Sequence, residues 1–199
     1  MTEPIARKPD DARLWAEART LGDLGRLTAR WLEGDITYQP AWEGPPDAET
    51  EVLLPMLAEI NRGGFVTHFS LPGVSTELHG ALQRAVVSGF CDDAVLTRVQ
   101  QATLATDLVV LAYPPGVNSE ALQLPVSLSE GDKERDEEAW RWAGATIGIE
   151  TIVDYYSADC EATAVKSLRE AWQATVLDPR WGRNDLLWER LQAAIRAAP

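Results

Sequence analysis

The chain has few of the residues from which disulfide frameworks and metal sites are built, with two cysteines and two histidines among 199 residues. Cys91 and Cys160 are too few for a disulfide scaffold or for a metal site made of thiolates alone. Two isolated thiols are typical of a reducing compartment. We therefore expect a cytoplasmic protein without a metal ion or an obligatory cofactor.

Long apolar runs are also missing. No segment approaches the roughly 18 apolar residues that a membrane-spanning helix needs. Residues 1–8 lack the apolar centre of a signal peptide. We therefore expect neither a membrane anchor nor a secretion signal.

Positive charge is scarce, with 18 Lys and Arg against 31 Asp and Glu and a formal net charge of −13. Nucleic-acid affinity depends on clustered basic side chains, so direct nucleic-acid binding is not expected. An acidic surface keeps a protein soluble, and it is also able to attract a basic protein partner or to imitate nucleic acid.

Several helix boundaries are predicted by capping chemistry. Thr20 stands three residues before Asp23, the spacing of a capping box, and predicts the start of a helix that ends at Gly34. Pro55 is tolerated in the first turn of the next helix. Asp92 predicts another helix start, because its carboxylate accepts hydrogen bonds from the free amides of a first turn.

Strands are predicted where β-branched and aromatic residues concentrate or alternate with polar ones. We predict strands at residues 65–69, 82–90 and 108–111, with a helix between the second and the third. This strand, helix, strand unit is either a parallel crossover or half of a ferredoxin-like fold.

The C-terminal part predicts further elements. Residues 140–156 predict one or two strands, and on such a strand Glu150 and Asp154 would share a face. Helices are predicted for about residues 159–175 and from residue 184 or 185 onward. Two carboxylates on one face are able to bind a divalent cation, but acidic strand residues are most often solvated, and no third ligand is indicated.

Together these elements predict a single α/β or α+β domain whose mixed sheet of four or five strands is flanked by N- and C-terminal helices. Residues 1–46 would form a helical segment and connector that pack on a core of residues 47–199. A chain of 199 residues, 45% hydrophobic and 25% charged, has the length and composition of one folding unit.

The best candidate for a site is the glycine-bounded stretch of residues 63–73, which contains His68 and is closely followed by His79. Side chains alternate along a strand, so His68 and Ser70 share a face there. Both are candidate catalytic residues, with the histidine as a base near neutral pH. The alternative is that the two side chains face solvent or complete the hydrogen bonds of a turn.

Thr67, Gln83 and Arg84 are candidate ligand contacts. A guanidinium binds a carboxylate or phosphate through two parallel hydrogen bonds. If the two strands are neighbours, Arg84 and His68 would line one cleft suited to a small anionic ligand. The alternative for Arg84 is an exposed ion pair.

Trp181, Arg183 and Trp188 are candidate partner-binding residues, because tryptophan and arginine are over-represented at binding hot spots. In the alternative interpretation, the two tryptophans attach the last helix to the body of the protein. Arg183 then pairs with Asp178 or Asp185.

Four segments that span almost the whole chain share a pattern with one protein family: residues 15–24, 61–73, 83–90 and 178–188. On these residues the chain resembles an uncharacterised actinobacterial family, a domain of unknown function. The family's loop reads Thr-x-x-Ser-Gln-Pro-Gly, and this chain matches it at Thr67, Ser70, Pro72 and Gly73 but has Leu71 in place of the glutamine. The resemblance implies a single domain and no particular activity or functional residue.

We therefore expect an acidic, cytoplasmic binding or interaction protein. Its expected partner is another protein or a small anionic ligand, and the protein partner includes a second copy of the chain in a homodimer. One alternative is a small hydrolase or transferase that acts on an anionic small molecule at His68, Ser70 and Arg84. The other is a nucleic-acid mimic that inhibits a basic protein.

Overall fold

The computed structural model describes residues 9–42, 44–75, 81–129 and 141–197. In these ranges the chain forms seven α-helices, one 3-10 helix and seven strands. The α-helices are α1 (Pro9–Ala16), α2 (Leu21–Leu32), α3 (Leu54–Arg62), α4 (Asp93–Thr103), α5 (Ile149–Tyr156), α6 (Ala162–Arg169) and α7 (Leu186–Arg196), and the 3-10 helix is Ala48–Leu53. The strands are β1 (Val66–Leu71), β2 (Ala81–Gln83), β3 (Val86–Cys91), β4 (Val109–Tyr113), β5 (Leu124–Ser129), β6 (Arg141–Ala143) and β7 (Trp172–Leu177).

The strands form two antiparallel sheets, one of four strands in the order β1-β3-β7-β4 and one of three strands in the order β2-β5-β6. The α+β class is confirmed, but the strands are divided between two sheets instead of forming one sheet of mixed direction. β3 and β4 both run antiparallel to β7, so they are parallel to each other with β7 between them. The predicted strand, helix, strand unit is therefore a crossover that spans one intervening strand.

The strand predicted for residues 82–90 is in fact two strands, β2 and β3, which belong to different sheets. The two residues that link them, Arg84 and Ala85, form backbone hydrogen bonds with different parts of the protein. The amide of Arg84 donates to the carbonyl of Val126, and the carbonyl of Ala85 accepts from the amide of Asp178. At this point the chain passes from the smaller sheet to the larger one.

Two predictions in the C-terminal half are wrong in part. Of residues 140–156, β6 (Arg141–Ala143) is a strand as predicted. The isoleucine-rich part forms α5 instead of a strand, and its buried residues Ile152 and Tyr156 are four apart, which is a helical spacing. Glu150 and Asp154 are therefore exposed neighbours on a helix. The helix predicted for residues 159–175 ends early at α6, and the chain continues as β7, because the following β-branched residues complete the sheet between β3 and β4.

The helix starts predicted from the capping residues Thr20 and Asp92 are confirmed, whereas the helix predicted from residue 159 begins at Ala162 without a side-chain cap. Thr20 Oγ1 accepts from the amide of Asp23, and the carboxylate of Asp23 accepts from the amide of Thr20. The carboxylate of Asp92 accepts from the amide of Val95 at 2.7 Å. Pro55 lies in the first turn of α3. In the two capped helices, the donor and the acceptor are within three residues of each other, so these helix starts are determined by local sequence.

Two apolar clusters form the core. The larger one joins the helices to the four-stranded sheet and includes Trp15, Phe65 and Trp188. The smaller one joins the two sheets through Leu71, Val86, Val126, Ala143 and Leu177. Within the ranges that the structure describes, no helix combines the length and the apolar character that crossing a bilayer requires.

Candidate functional site

A cavity of about 430 Å³ lies beside β1 and is bordered by α2, by the connector that follows α2, and by α5. β1 contributes five consecutive residues, 67–71, to its wall. A cavity of this size is within the range of pockets that hold small-molecule ligands. Thr67, His68 and Ser70, three of the candidate residues, thus line one cavity.

An irregularity in the ladder between β1 and β3 shapes this wall. Thr67 pairs with Gly89 and Phe69 pairs with the next residue, Ser88, so His68 is an extra residue on β1. Such a bulge bends the strand and redirects its side chains. As a result His68 and both of its neighbours in sequence border the cavity, which simple alternation along a strand does not predict.

His68 is uncharged at neutral pH. Its ring packs against the ring of Phe90, with the two centroids 5.5 Å apart. Burial disfavours the imidazolium and lowers the pKa of His68 to about 4. A neutral imidazole offers a ligand one donor and one acceptor nitrogen but is a weak base at pH 7.

Ser70 is not activated as a nucleophile in this arrangement. No hydrogen bond joins its hydroxyl to His68 or to another side chain in the described ranges. A nucleophilic serine needs a base within hydrogen-bond reach. The Ser70 hydroxyl is instead a polar group that a ligand is able to contact.

Thr67 is held in place by α3. Asn61 Nδ2 donates to Thr67 Oγ1 at 2.8 Å, and Asn61 Oδ1 accepts from the amide of Thr67 at 2.9 Å. Asn61 Nδ2 also donates to the carbonyl of Leu57. Since these bonds fix the residue just before the bulge, Thr67 supports the cavity wall.

The charged lining residues Asp47, Glu49 and Arg141 are exposed or partly exposed, and we call the part of the cavity that they line its mouth. Glu49 accepts from Arg141 Nη1 at 2.8 Å and from Gln83 Nε2 at 3.0 Å. Glu49 and Arg141 both line the cavity, as does the exposed Asp47. The candidate residue Gln83 therefore reaches the site indirectly, by orienting a carboxylate that Arg141 already neutralises.

The remaining wall is largely aromatic and aliphatic. Tyr156 is buried in it, and burial raises the pKa of this phenol, whose oxygen accepts from Gln39 Nε2 at 3.3 Å. The described lining residues that are charged at neutral pH are those at the mouth, so the interior is neutral. The aromatic side chains of the wall are Trp31, Trp42, Phe69, Phe90, Tyr155 and Tyr156.

Arg84 does not line this cavity. Its guanidinium carbon lies 4.1 Å from the ring centroid of Trp181, and its Nη1 donates to the carbonyl of Pro125 at 2.9 Å. Desolvation by burial lowers the pKa of Arg84. Arg84 and His68 are thus in different surroundings, although the anionic-ligand expectation requires them to share a cleft.

The aromatic and basic residues near the C-terminus are engaged within the protein. Trp188 is buried, and its Nε1 donates to Asn184 Oδ1 at 3.1 Å. Arg183 forms ion pairs with Asp178 and Asp107. These contacts support the interpretation in which this segment attaches the last helix to the body.

The acidic pair on α5 acquires no further metal ligand in the described ranges. There, no group of three His, Cys, Asp or Glu side chains is arranged to hold a metal ion. Glu150 and Asp154 face outward. His79, the second histidine, lies outside the described residues.

Comparison with protein families adds a classification. The pattern of a domain of unknown function, DUF6919, matches residues 10–198. The chain belongs to the DUF6919 family. The predicted resemblance to a domain family of unknown function is thereby confirmed. No protein with a curated description shows significant similarity to the chain.

Several side chains at the cavity of this DUF6919 chain were missed by sequence reasoning. They come from elements far apart in the sequence: Thr28 and Trp31 from α2, Glu49 from the 3-10 helix, Arg141 from β6 and Tyr156 from α5. No local motif links these residues. Trp31 and Thr28 are both buried residues of α2, but no local pattern assigns either of them to a site.

Proposed function

We propose that the protein binds a small, neutral, ring-containing molecule in the cavity beside β1. One observation carries the proposal: a cavity of about 430 Å³ has aromatic walls and, among its described lining residues, charged groups only at the mouth. Aromatic walls favour stacked and edge-to-face contacts with a planar ring. Transfer of an ion into a neutral interior of this kind is unfavourable.

The geometry supports binding better than catalysis. His68 is a weak base because of its low pKa, and Ser70 has no base in hydrogen-bond contact with it. Arg84 stacks on Trp181, outside the cavity lining. The three residues of the hydrolase or transferase alternative therefore lack the mutual contacts that such chemistry needs.

The proposal is tested with a library of neutral aromatic fragments that includes indole and 2-naphthol, observed by ligand-detected NMR. Ser70→Trp places a large side chain in the cavity from β1. Leu104→Trp is the matched control, because it adds the same side chain at a residue that is 81% exposed. We expect fragments to bind the wild type and Leu104→Trp and to lose binding to Ser70→Trp.

Two results would overturn the proposal: no fragment binds the wild type, or binding survives in Ser70→Trp. The His68 imidazole resonance of the wild type is a second readout that does not depend on how well the variants fold. It should shift on addition of each bound fragment, because His68 lines the cavity.

We also propose a cytoplasmic location. Neither Cys91 nor Cys160 forms a disulfide, which supports this location. The actinobacterial source rests on the family resemblance alone.

A homodimer is tested by light scattering at increasing protein concentration. A constant monomer mass would exclude it.

A further inference from the structure

The cavity lies along a sheet edge. β1 is the outermost strand of its sheet: β3 pairs with one edge, and no strand of the described ranges pairs with the other. Ser70 and Leu71 both line the cavity, although consecutive side chains of a strand point to opposite faces. The bulge at His68 does not explain this, since the pairing is regular from Phe69 onward. A cavity that borders both residues therefore faces the unpaired edge of β1.

The hydrogen-bond pattern of the sheet shows which backbone groups point toward that edge. Along an antiparallel pair, residues that exchange backbone hydrogen bonds alternate with residues that do not. The amide of Asp178 extends the ladder between β3 and β7 by donating to the carbonyl of Ala85 at 2.8 Å. Two residues further along β3, the backbone groups of Val87 therefore also point toward β7. Ser70 pairs with Val87, so the N–H and C=O of Ser70 point away from β3.

The hydroxyls of Ser88 and Thr175 support the same alternation. They bond to each other at 2.7 Å across β3 and β7, and side chains approach most closely at a pair that does not exchange backbone hydrogen bonds. The backbone bonds to β7 are therefore formed by the neighbouring residue, Val87.

The start of the unpaired edge is covered by a carboxamide of the protein itself. Asn61 Oδ1 accepts from the amide of Thr67 at 2.9 Å, in the place where a further strand would supply a carbonyl. Ser70 has no such substitute, because its N–H and C=O form no hydrogen bond outside the ladder with a described residue. Ser70 is also partly exposed and lines the cavity. Its backbone donor and acceptor are therefore open to a ligand.

We propose that the backbone N–H and C=O of Ser70 select the ligand by pairing with an adjacent acceptor and donor, as a further strand would. This inference rests on the proposed function and names its ligand class: neutral planar lactams, whose C=O accepts and whose N–H donates on one side of the ring. Strand edges bind peptides through the same main-chain pairing. The aromatic walls contact the ring, and an uncharged amide suits a neutral interior.

The test compares 2-quinolone, a two-ring lactam, with naphthalene, which has the same ring outline and no hydrogen-bonding group. Ser70→Pro removes the N–H, and proline is tolerated in an edge strand where the N–H points outward. We expect Ser70→Pro to weaken 2-quinolone binding about 10-fold and naphthalene binding less than about 2-fold, as measured by titration. Ser70→Ala removes the hydroxyl but keeps the N–H, so it should retain the wild-type ratio of the two affinities.

Leu71→Pro is the matched control for the fold. Leu71 pairs with Val86, whose backbone groups point toward β1 by the same alternation, so this proline removes a ladder hydrogen bond. Leu71→Pro should therefore lower the thermal denaturation midpoint more than Ser70→Pro does. A Ser70→Pro variant as unstable as Leu71→Pro would place the N–H of Ser70 in the ladder and overturn the inference.

Amide hydrogen exchange followed by NMR tests the wild type without any substitution. In the free protein the Ser70 amide should exchange faster than the Leu71 amide, because only the latter is bonded in the ladder. Bound 2-quinolone should slow exchange at Ser70, and bound naphthalene should slow it less. Equal protection of the two amides in the free protein, or no slowing at Ser70 by bound 2-quinolone, would overturn the inference.

The outcomes separate this inference from the proposed function. If both probes bind and Ser70→Pro changes their affinities equally, or changes neither, the inference is overturned and the proposed function stands. The same conclusion follows if other library fragments bind but 2-quinolone does not. If neither probe nor any library fragment binds the wild type, the proposed function fails and the inference fails with it.

Discussion

The side chain of Asn61 bonds both to the backbone and to the side chain of Thr67. Its Nδ2 donates to Thr67 Oγ1, and its Oδ1 accepts from the Thr67 amide. The two bonds bridge the turn between α3 and β1, where Gly64 has a φ of 93° that favours glycine. Because Thr67 immediately precedes the bulged His68, Asn61 determines where the cavity wall begins.

Replacement of Asn61 by alanine should lower the free energy of unfolding by about 3 kcal/mol, because it leaves the buried polar groups of Thr67 without their partner. Thr67→Val is the matched control. It removes one hydroxyl, keeps the amide bond to Asn61, and should cost about 1 kcal/mol. Urea denaturation followed by circular dichroism measures both. Equal losses in the two variants would contradict a central role for the Asn61 carboxamide.

Acid should destabilise the protein through His68. The pKa of about 4 in the folded state lies below the ordinary value of 6.5, so between these pH values the unfolded chain binds a proton that the folded chain does not. This contribution to stability is fully present above pH 6.5 and is lost as the pH falls toward 4. The stability lost at pH 4.5 is about 2.5 kcal/mol. His68→Gln should therefore lose less stability than the wild type between pH 7 and pH 4.5 in urea denaturation.

The pKa itself is accessible because the chain has two histidines. In His79→Gln, the remaining imidazole resonance belongs to His68, and its NMR titration midpoint should be near pH 4. The same variant unfolded in urea is the control and should titrate near 6.5. A folded-state midpoint near 6.5 would refute the desolvated, neutral His68 on which the proposed site depends.

The predictable parts of the fold are those governed by local chemistry. The caps formed by Thr20 and Asp92 were predicted because their partners lie within three residues. The segments that became α5 and β7 were misassigned because isoleucine, valine and aromatic residues suit a buried helix as well as a strand. Tertiary packing determines which structure such a segment adopts. For example, β7 is a strand because it completes the sheet between β3 and β4.

The candidate site was predictable only along β1. The sequence of this strand identified His68 and Ser70 as neighbours, but the bulge at His68 depends on the register with β3. The position of Arg84 depends on the transfer of the chain from one sheet to the other, which its composition does not reveal. Thr28 reaches the cavity through the packing of α2 against β1, a contact without a local sequence signal.

Cys91 should be inert toward alkylating reagents in the folded protein. Burial, together with the neighbouring Asp92 and Asp93, raises the pKa of its thiol to about 12, and the thiolate is the reactive form. In Cys160→Ser, iodoacetamide at pH 8 should leave the folded protein unmodified and alkylate Cys91 after unfolding in urea. Mass spectrometry measures the extent. Rapid alkylation under native conditions would show that Cys91 is accessible.

Two glycines of α2 should respond in opposite ways to alanine. A Cβ at Gly25 would lie 2.4 Å from the carbonyl oxygen of Asn61, a backbone atom of α3 that is unable to withdraw without moving the helix. A Cβ at Gly22 would meet its nearest neighbour, Arg26 Nη1, at 3.6 Å, an ordinary contact. Gly22→Ala should therefore raise the free energy of unfolding by about 0.5 to 1 kcal/mol through helix propensity. Gly25→Ala should lower it by about 2 kcal/mol in spite of the same propensity gain. Urea denaturation of the two variants measures this difference. A Gly25→Ala variant as stable as Gly22→Ala would exclude the close approach of α2 to α3. This approach holds Asn61 beside the start of the cavity wall.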